Sequence, residues 1–294
     1  MRFLAVAVYH SCLIALFLWP IISHAEPLPV KNHSPVWFGL LYPEAETAKT
    51  APPGRNSFRF DIDYSSIFFF ANNGTSQTNF DMELAQFTFD LRRGGLLWDI
   101  EAGVSQPFFY TGGGFMDGLI LGYHSAFGFP DYPGQRAAPR NRYLYKITNG
   151  QAVWNSPAPD KFSIGDGSFW LKKEFYKTDS FVASIKAVIQ PPMASTTDGF
   201  GNGAWEYAFL FLAEKTINEF ELTFNAGTVA PGSINRGENY ALDSYSLMHG
   251  AAQYNITNRL AFIAQGSVVT SPYSEPMPKR FTKTWREVTF GFRY

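Results

Sequence analysis

Cysteine is almost absent from this chain: Cys12 is the only one in 294 residues. It lies in the apolar run that follows Arg2, without the small residues that precede a lipid-modified cysteine. Disulfides and thiol chemistry are therefore excluded. Charge is scarce too, at 17% of residues with a formal net charge of −1, and no basic stripe suggests nucleic acid. The five histidines show no metal-ligand spacing: His10 and His24 sit near the start, and His33, His124 and His249 are scattered. "GGG" at 112–114 lacks the preceding strand and following lysine of a phosphate loop, and reads as a hinge. No cofactor or metal is expected. Beyond residue 22 there is no run of about 18 apolar residues, which excludes a helical membrane protein.

What is present begins with export. The apolar run to Ile22 ends in small residues at Ser23 and Ala25, which predicts a signal peptide over 1–25. A retained anchor is the alternative, and Pro20 and the small-residue exit argue against it. The rest is rich in aromatic residues, with 29 Phe and 15 Tyr, and in glycine, with 25. An exported, aromatic, cysteine-poor chain points to a membrane barrel.

From residue 57 the pattern has a period of two. In "FRFDIDYSSIFFF", Phe58, Phe60, Ile62 and Tyr64 oppose Arg59, Asp61 and Asp63. "WDIEAGV" sets Trp98, Ile100, Ala102 and Val104 against Asp99 and Glu101. "WEYAFLF" and "FELTFNAG" set their aromatics against Glu206 and Glu221. Lipid outside and water inside would produce this dyad, with Arg59, Asp61, Asp63, Asp81, Glu83, Asp99, Glu101, Glu206 and Glu221 in the lumen. The second strand changes phase between Leu84 and Phe87, which predicts a bulge near Ala85 or Gln86. Short connections near 94, 178, 218 and 258 alternate with longer ones near 192–203, 230–243 and 271–283, as in outer-membrane barrels. The chain stops on "WREVTFGFRY", where Val288, Phe290, Phe292 and Tyr294 share a face; this resembles the terminal strand read by the barrel assembly machinery.

The expected fold is all-β, a transmembrane antiparallel β-barrel over 57–294 with one short helix in a long loop, 107–138. A soluble β-sandwich is the rival, but has no use for aromatics on one side of nearly every strand. Ten strands are plain. A hairpin around Asn149-Gly150 makes about twelve if both arms enter the wall and ten if they stand above it. Such a barrel is too narrow for a general porin once its side chains fill it. Residues 26–56 form an N-terminal segment in which "VWFGLLY" supplies a further short strand or tucks into the periplasmic mouth.

The long loop contains "GGGFMDGLILGYHSAFGFPD", whose Met116, Leu119, Ile120, Tyr123 and Phe127 make a helical stripe. Gly118 and Gly122 each cost about 1 kcal/mol in a helix, which suggests close approach to another surface. Asp117, His124 and Ser125 invite a hydrolytic reading, but on a helix His124 and Ser125 diverge by about 100° and Asp117 lies about two turns away. Arg136, Arg140 and Arg142 follow; they fit either lumen carboxylates or the phosphates of outer-membrane lipid and lipopolysaccharide.

"GGFMDGLILGYHSAFGFPD", "RAAPRN" and "IGDGSFWLKKEF" resemble the bacterial family of unknown function number 3187. The resemblance spans about 34–294 and implies an exported outer-membrane barrel; it supplies no activity or catalytic residue. The functional expectation is binding or permeation of a small or amphipathic ligand, with the loop helix as plug. A lipid- or lipopolysaccharide-modifying hydrolase and a structural barrel are the alternatives. The sequence names no ligand.

Overall fold

The computed structural model describes residues 26–72, 74–149, 152–274 and 277–294. The expected signal peptide, with Cys12, and Gly150 of the expected turn lie outside these residues. The described chain is all-β and antiparallel. Thirteen strand segments form one sheet, and a separate two-stranded ribbon stands beside it. Among the described residues, no helix is long and apolar enough to cross a membrane.

The thirteen segments make ten ranks. β1 (Asn56–Asn72) and β2 (Ser76–Arg93) form a long hairpin, paired without interruption from Asn56↔Arg93 to Asn72↔Gln77. β3 (Glu101–Gly112) pairs with the lower part of β2, and β4 (Leu144–Asn149) resumes the same line against its upper part. The long loop is thus an insertion, residues 113–143, within one interrupted rank. β5 (Ala152–Val153), β6 (Lys161–Ile164) and β7 (Ser168–Lys177) descend as the next rank, broken at Gly165–Gly167. β8 (Phe181–Gln190), β9 (Glu206–Ile217), β10 (Phe220–Ala230), β13 (Tyr245–Asn255), β14 (Ala261–Val269) and β15 (Trp285–Arg293) follow in order. The ribbon of β11 (Ile234–Arg236) and β12 (Glu238–Tyr240) fills one long connection. Both arms of the expected hairpin therefore join the sheet, but as extensions of existing ranks.

Connections 178–180, 218–219 and 256–260 at one end are short, whereas 191–205, 231–244 and 270–284 at the other are long. Alternation holds along the ranks. Phe58, Phe60, Ile62, Phe89, Leu91, Phe209, Phe211, Phe220 and Phe224 all point outward and are exposed. Val288, Phe290, Phe292 and Tyr294 do the same at the end of the chain. Arg59, Asp61, Asp63, Glu101, Glu206 and Glu221 lie on the opposite face of the sheet, toward the N-terminal segment.

Three expectations are corrected. Asp99 does not face inward: it and Trp98 hold positive φ angles of 57° and 60° in an exposed turn, and the strand begins only at Glu101. β2 has no bulge, since its ladder is continuous through Ala85 and Gln86. The apolar phase changes because the surroundings change. Phe80, Met82 and Leu84 face a core inside the sheet's upper half, while Asp81 and Glu83 point outward beneath the 113–143 insertion and are buried there.

The core is built around the N-terminal segment. Val36, Trp37, Phe38, Leu40 and Leu41 are buried among Leu210, Leu212, Tyr245 and Leu247 of β9 and β13 and Phe80 of β2. Trp37 meets Tyr42, Tyr245 and Tyr273 edge-on at centroid distances of 5.5–6.2 Å. Each large apolar side chain buried there contributes about 1.5–3 kcal/mol. Residues 26–51 lie on the inner side of the sheet and touch ranks from β1 to β15. Among the described residues no ladder joins the edges β1 and β15. At the long-loop end Phe69 of β1 meets Phe281, just before β15, at 5.0 Å, with Arg280 over the Phe69 ring.

Candidate functional site

Residues 28–51 are mostly extended and lie away from any strand ladder, so their backbone groups need other partners. Inward side chains of the sheet provide them one after another. Gln265 pairs with both backbone groups of Leu28, at 2.9 and 3.2 Å, and Asn225 does the same for Glu46, at 2.8 and 3.0 Å. Gln190 donates to Gly39 O at 2.7 Å, His249 Nε2 lies 3.2 Å from Pro43 O, and Glu174 accepts from Thr50 N at 2.6 Å. The carboxylates of Glu206 and Glu101 accept from the backbone N–H of Leu41 and Ala51. Tyr245, Tyr273 and Arg236 donate to the carbonyls of Leu41, Val36 and Phe38.

Ion pairs interlock the same surfaces. Lys31 lies 3.3 Å from Asp63, 3.5 Å from Glu44 and 3.9 Å from Asp61, and Lys49 meets Glu214 and Glu221 at 2.5 and 3.8 Å. Glu46 in return lies between Lys172 and Lys186, at 3.6 and 2.5 Å. Arg59 binds Asp61, Asp90 and Glu44. The inward carboxylates do need cations, but these come from Lys31, Lys49 and the strands themselves, with none from the loop arginines.

Between this segment and the wall remains a cavity of about 110 Å³, lined by Lys31, Glu44, Gln86, Thr88, Ser105 and Gln190 among others. It has room for a few waters and is well below the roughly 300–1,000 Å³ of a drug-sized ligand site. Sequence reasoning leaves residues 36–42 as a short strand or a tuck into the periplasmic mouth; they form no strand and pack in the core, and the pairing of the rest of the segment with the sheet is missed. The available signal was an inward surface rich in Glu, Asn and Gln that no strand partner satisfied.

The insertion lies elsewhere. Its helix α1 (Asp117–Phe127) has no buried residue and packs outside the sheet, over the upper part of the β1–β2 hairpin. The helix thus stays outside the sheet, and the space on the sheet's inner side is occupied by the N-terminal segment instead. Glu83 anchors the helix start, accepting from Met116 N at 2.5 Å and from the Tyr64 hydroxyl. Arg142 pairs with the other outward carboxylate, Asp81, at 2.8 Å. Asp117 caps Asn141 N at 2.7 Å, while His124 Nδ1 lies 3.0 Å from Asp131. Ser125 donates to Leu121 O and accepts from Arg136, which also binds Asp131. Asp117, His124 and Ser125 are thus held by three different sets of partners, and no nucleophile–base pair forms among these three. Arg140 stands exposed beside Gly118. A methyl group added at Gly122 would meet nothing within 4 Å, so the two glycines do not mark a close approach.

A family model matches residues 8–294. The chain belongs to that family, described as protein of unknown function (DUF3187). No curated protein matches it. The stretches that carried the resemblance occupy structural positions in this DUF3187 chain: the first is α1 with its flanks, and "IGDG" is the break between β6 and β7. There Asp166 accepts from Met193 N and Ala194 N, both at 2.7 Å, and Asn202 N at 3.2 Å, fastening the 191–205 connection over the interior.

Proposed function

We propose that the protein is a small outer-membrane β-barrel that closes its own lumen with residues 26–51 and binds or passes a small solute when that segment shifts. In this reading residues 1–25 direct export. The barrel machinery reads the terminal strand with Val288, Phe290, Phe292 and Tyr294, and the outward aromatics face lipid and lipopolysaccharide. Strands of 9–12 residues such as β8, β9 and β15 suit a bilayer crossing. With both ends of the sheet at the short-turn side, the long connections face outward from the cell.

The observation that carries the reading is the serial capture of residues 28–51 by inward polar side chains from nearly every rank. Residues 36–41 anchor the segment in an apolar core, whereas its flanks, 28–31 and 43–51, meet buried carboxylates, amides and lysines, which cost several kcal/mol each before pairing. Polar side chains facing a separable segment suit a lumen that is wet when the segment leaves. Ionic conductance in planar bilayers tests this. The full chain should stay nearly closed, and a chain lacking 27–50 should conduct at least about tenfold more, as a narrow unplugged barrel would. A deletion variant that inserts and remains closed would make the barrel structural. Replacing both Lys31 and Lys49 by Met gives a milder second test, with intermittent openings expected.

A further inference from the structure

Helix α1 is turned inside out for a surface helix. Its polar side chains Asp117 and His124 face the rest of the insertion, held by Asn141 N and Asp131. Its exposed side carries Leu119, Tyr123 and Phe127, extended at the two ends by Phe115 and Phe129; all five are at least half exposed. Tyr123, Phe127 and Phe129 stack on one another at 4.7–6.4 Å rather than on the body of the protein. On this side the helix carries no charged residue, and its one hydroxyl is the phenol of Tyr123, an amphipathic ring; Ser125, bonded to Leu121 O and Arg136, lies on the opposite side. A contiguous aromatic patch of this kind is larger than single exposed apolar residues explain and marks a contact surface.

Polar inward and apolar outward is also the grammar of the strands below it. The two surfaces are continuous: Phe115 packs at 5.5 Å on Tyr64, the last of the outward column Phe58, Phe60, Ile62 and Tyr64 on β1. Arg136 and Arg140 are exposed on the same insertion, Arg136 while pairing with Asp131, and exposed guanidinium groups beside an apolar patch suit lipid phosphates. We infer that α1 is an interfacial helix, lying on the barrel's flank at the long-loop end with Leu119, Tyr123 and Phe127 immersed in the leaflet and Arg136 and Arg140 among lipid phosphates. The partner is the bilayer itself. This assignment rests on the membrane reading proposed above and adds a lipid-binding collar to one side of the barrel.

Depth-dependent quenching tests it with the full chain carrying Cys12→Ser, in which an introduced cysteine is the only one. An environment-sensitive fluorophore is attached at Leu119→Cys or Phe127→Cys on the helix, at Phe209→Cys in the outward band of β9, and at Asp179→Cys in a short turn. Each is placed in phosphatidylcholine vesicles, with and without anionic phospholipid, containing lipids with a quencher on the acyl chain. The helix positions should be quenched to within about twofold of Phe209 and at least about fivefold more than Asp179. Strong quenching at Phe209 with Leu119 and Phe127 behaving like Asp179 would overturn the helix assignment and leave the barrel standing. Absence of quenching at Phe209 would overturn the membrane reading, and this inference with it. Both helix sites are solvent-facing; Phe127→Cys removes only the ring contacts with Tyr123 and Phe129 on the outer patch, and Leu119→Cys reads the same depth without that loss.

Discussion

At the level of single residues, the inward Asn and Gln side chains act as short pieces of strand. Asn225 is fully buried and offers its carbonyl oxygen to Glu46 N and its amide to Glu46 O, completing what a neighbouring backbone would supply. Asn225→Ala leaves both backbone groups unpaired away from water. It should destabilise the fold by about 1–3 kcal/mol, the usual cost of stranding buried polar groups. The check is the urea unfolding midpoint in detergent together with hydrogen exchange at the Glu46 amide. An unchanged midpoint with a still-protected amide would show that the pairing contributes nothing. The period-two pattern of "FELTFNAG" puts Asn225 on the face opposite Phe224, with Glu221, but names no partner for it. Glu46 lies 179 positions away in a segment with no period, and nothing local links the two.

At the level of elements, strands were legible because each carries its own alternation, and the inward set Arg59, Asp61, Asp63, Glu101, Glu206 and Glu221 followed from it. What escaped were places where one element's surroundings change along its length. β2 swaps its apolar face above Ala85 because the insertion covers its outer side there, and periodicity alone makes that swap look like a bulge. The insertion is held largely by charge, and this has a pH signature. Although desolvation works the other way, hydrogen bonds from His124 and Arg136 hold the Asp131 carboxyl below the usual aspartate range. A carboxylate with a depressed folded pKa stabilises fully above its unfolded value, near 3.8, and that contribution disappears as pH falls through the folded value. The packing of α1 against 131–136 should therefore be constant from pH 7 down to about 5 and weaken below about 4. Amide exchange across 117–131 reads this directly. In Asp131→Asn the acid-dependent loosening should vanish, because the variant is already loosened at neutral pH; a variant that still loosens steeply below pH 4 would place the switch on another group.

At the level of the whole molecule, the remaining question is what joins β1 to β15. Both edges carry a row of backbone donors and acceptors beside outward columns of Phe58, Phe60 and Ile62 on one and Val288, Phe290 and Phe292 on the other. In water such edges invite aggregation. In hydrocarbon each unpaired group costs several kcal/mol, so a ten-rank sheet in a bilayer has to close. The geometry favours it: Phe69 and Phe281 already meet at the long-loop end, and Glu26, at the other, reaches from Arg293 on β15 to Arg92 on β2. In a closed form the N-terminal segment, which already contacts both outer parts of the sheet, would also act as a template for the curvature that closure needs. In vesicles, backbone amides of residues 57–64 and 286–293 should exchange as slowly as those of β9 and β10, which are paired on both sides. If they exchange on the order of a hundredfold faster, about the loss of 2.7 kcal/mol of local protection, the sheet is open at this seam. Repeating the measurement on the chain lacking 27–50 separates the template from the plug: protection retained at the seam means that the strands close unaided, and protection lost only there means that the segment which fills the interior also shapes it.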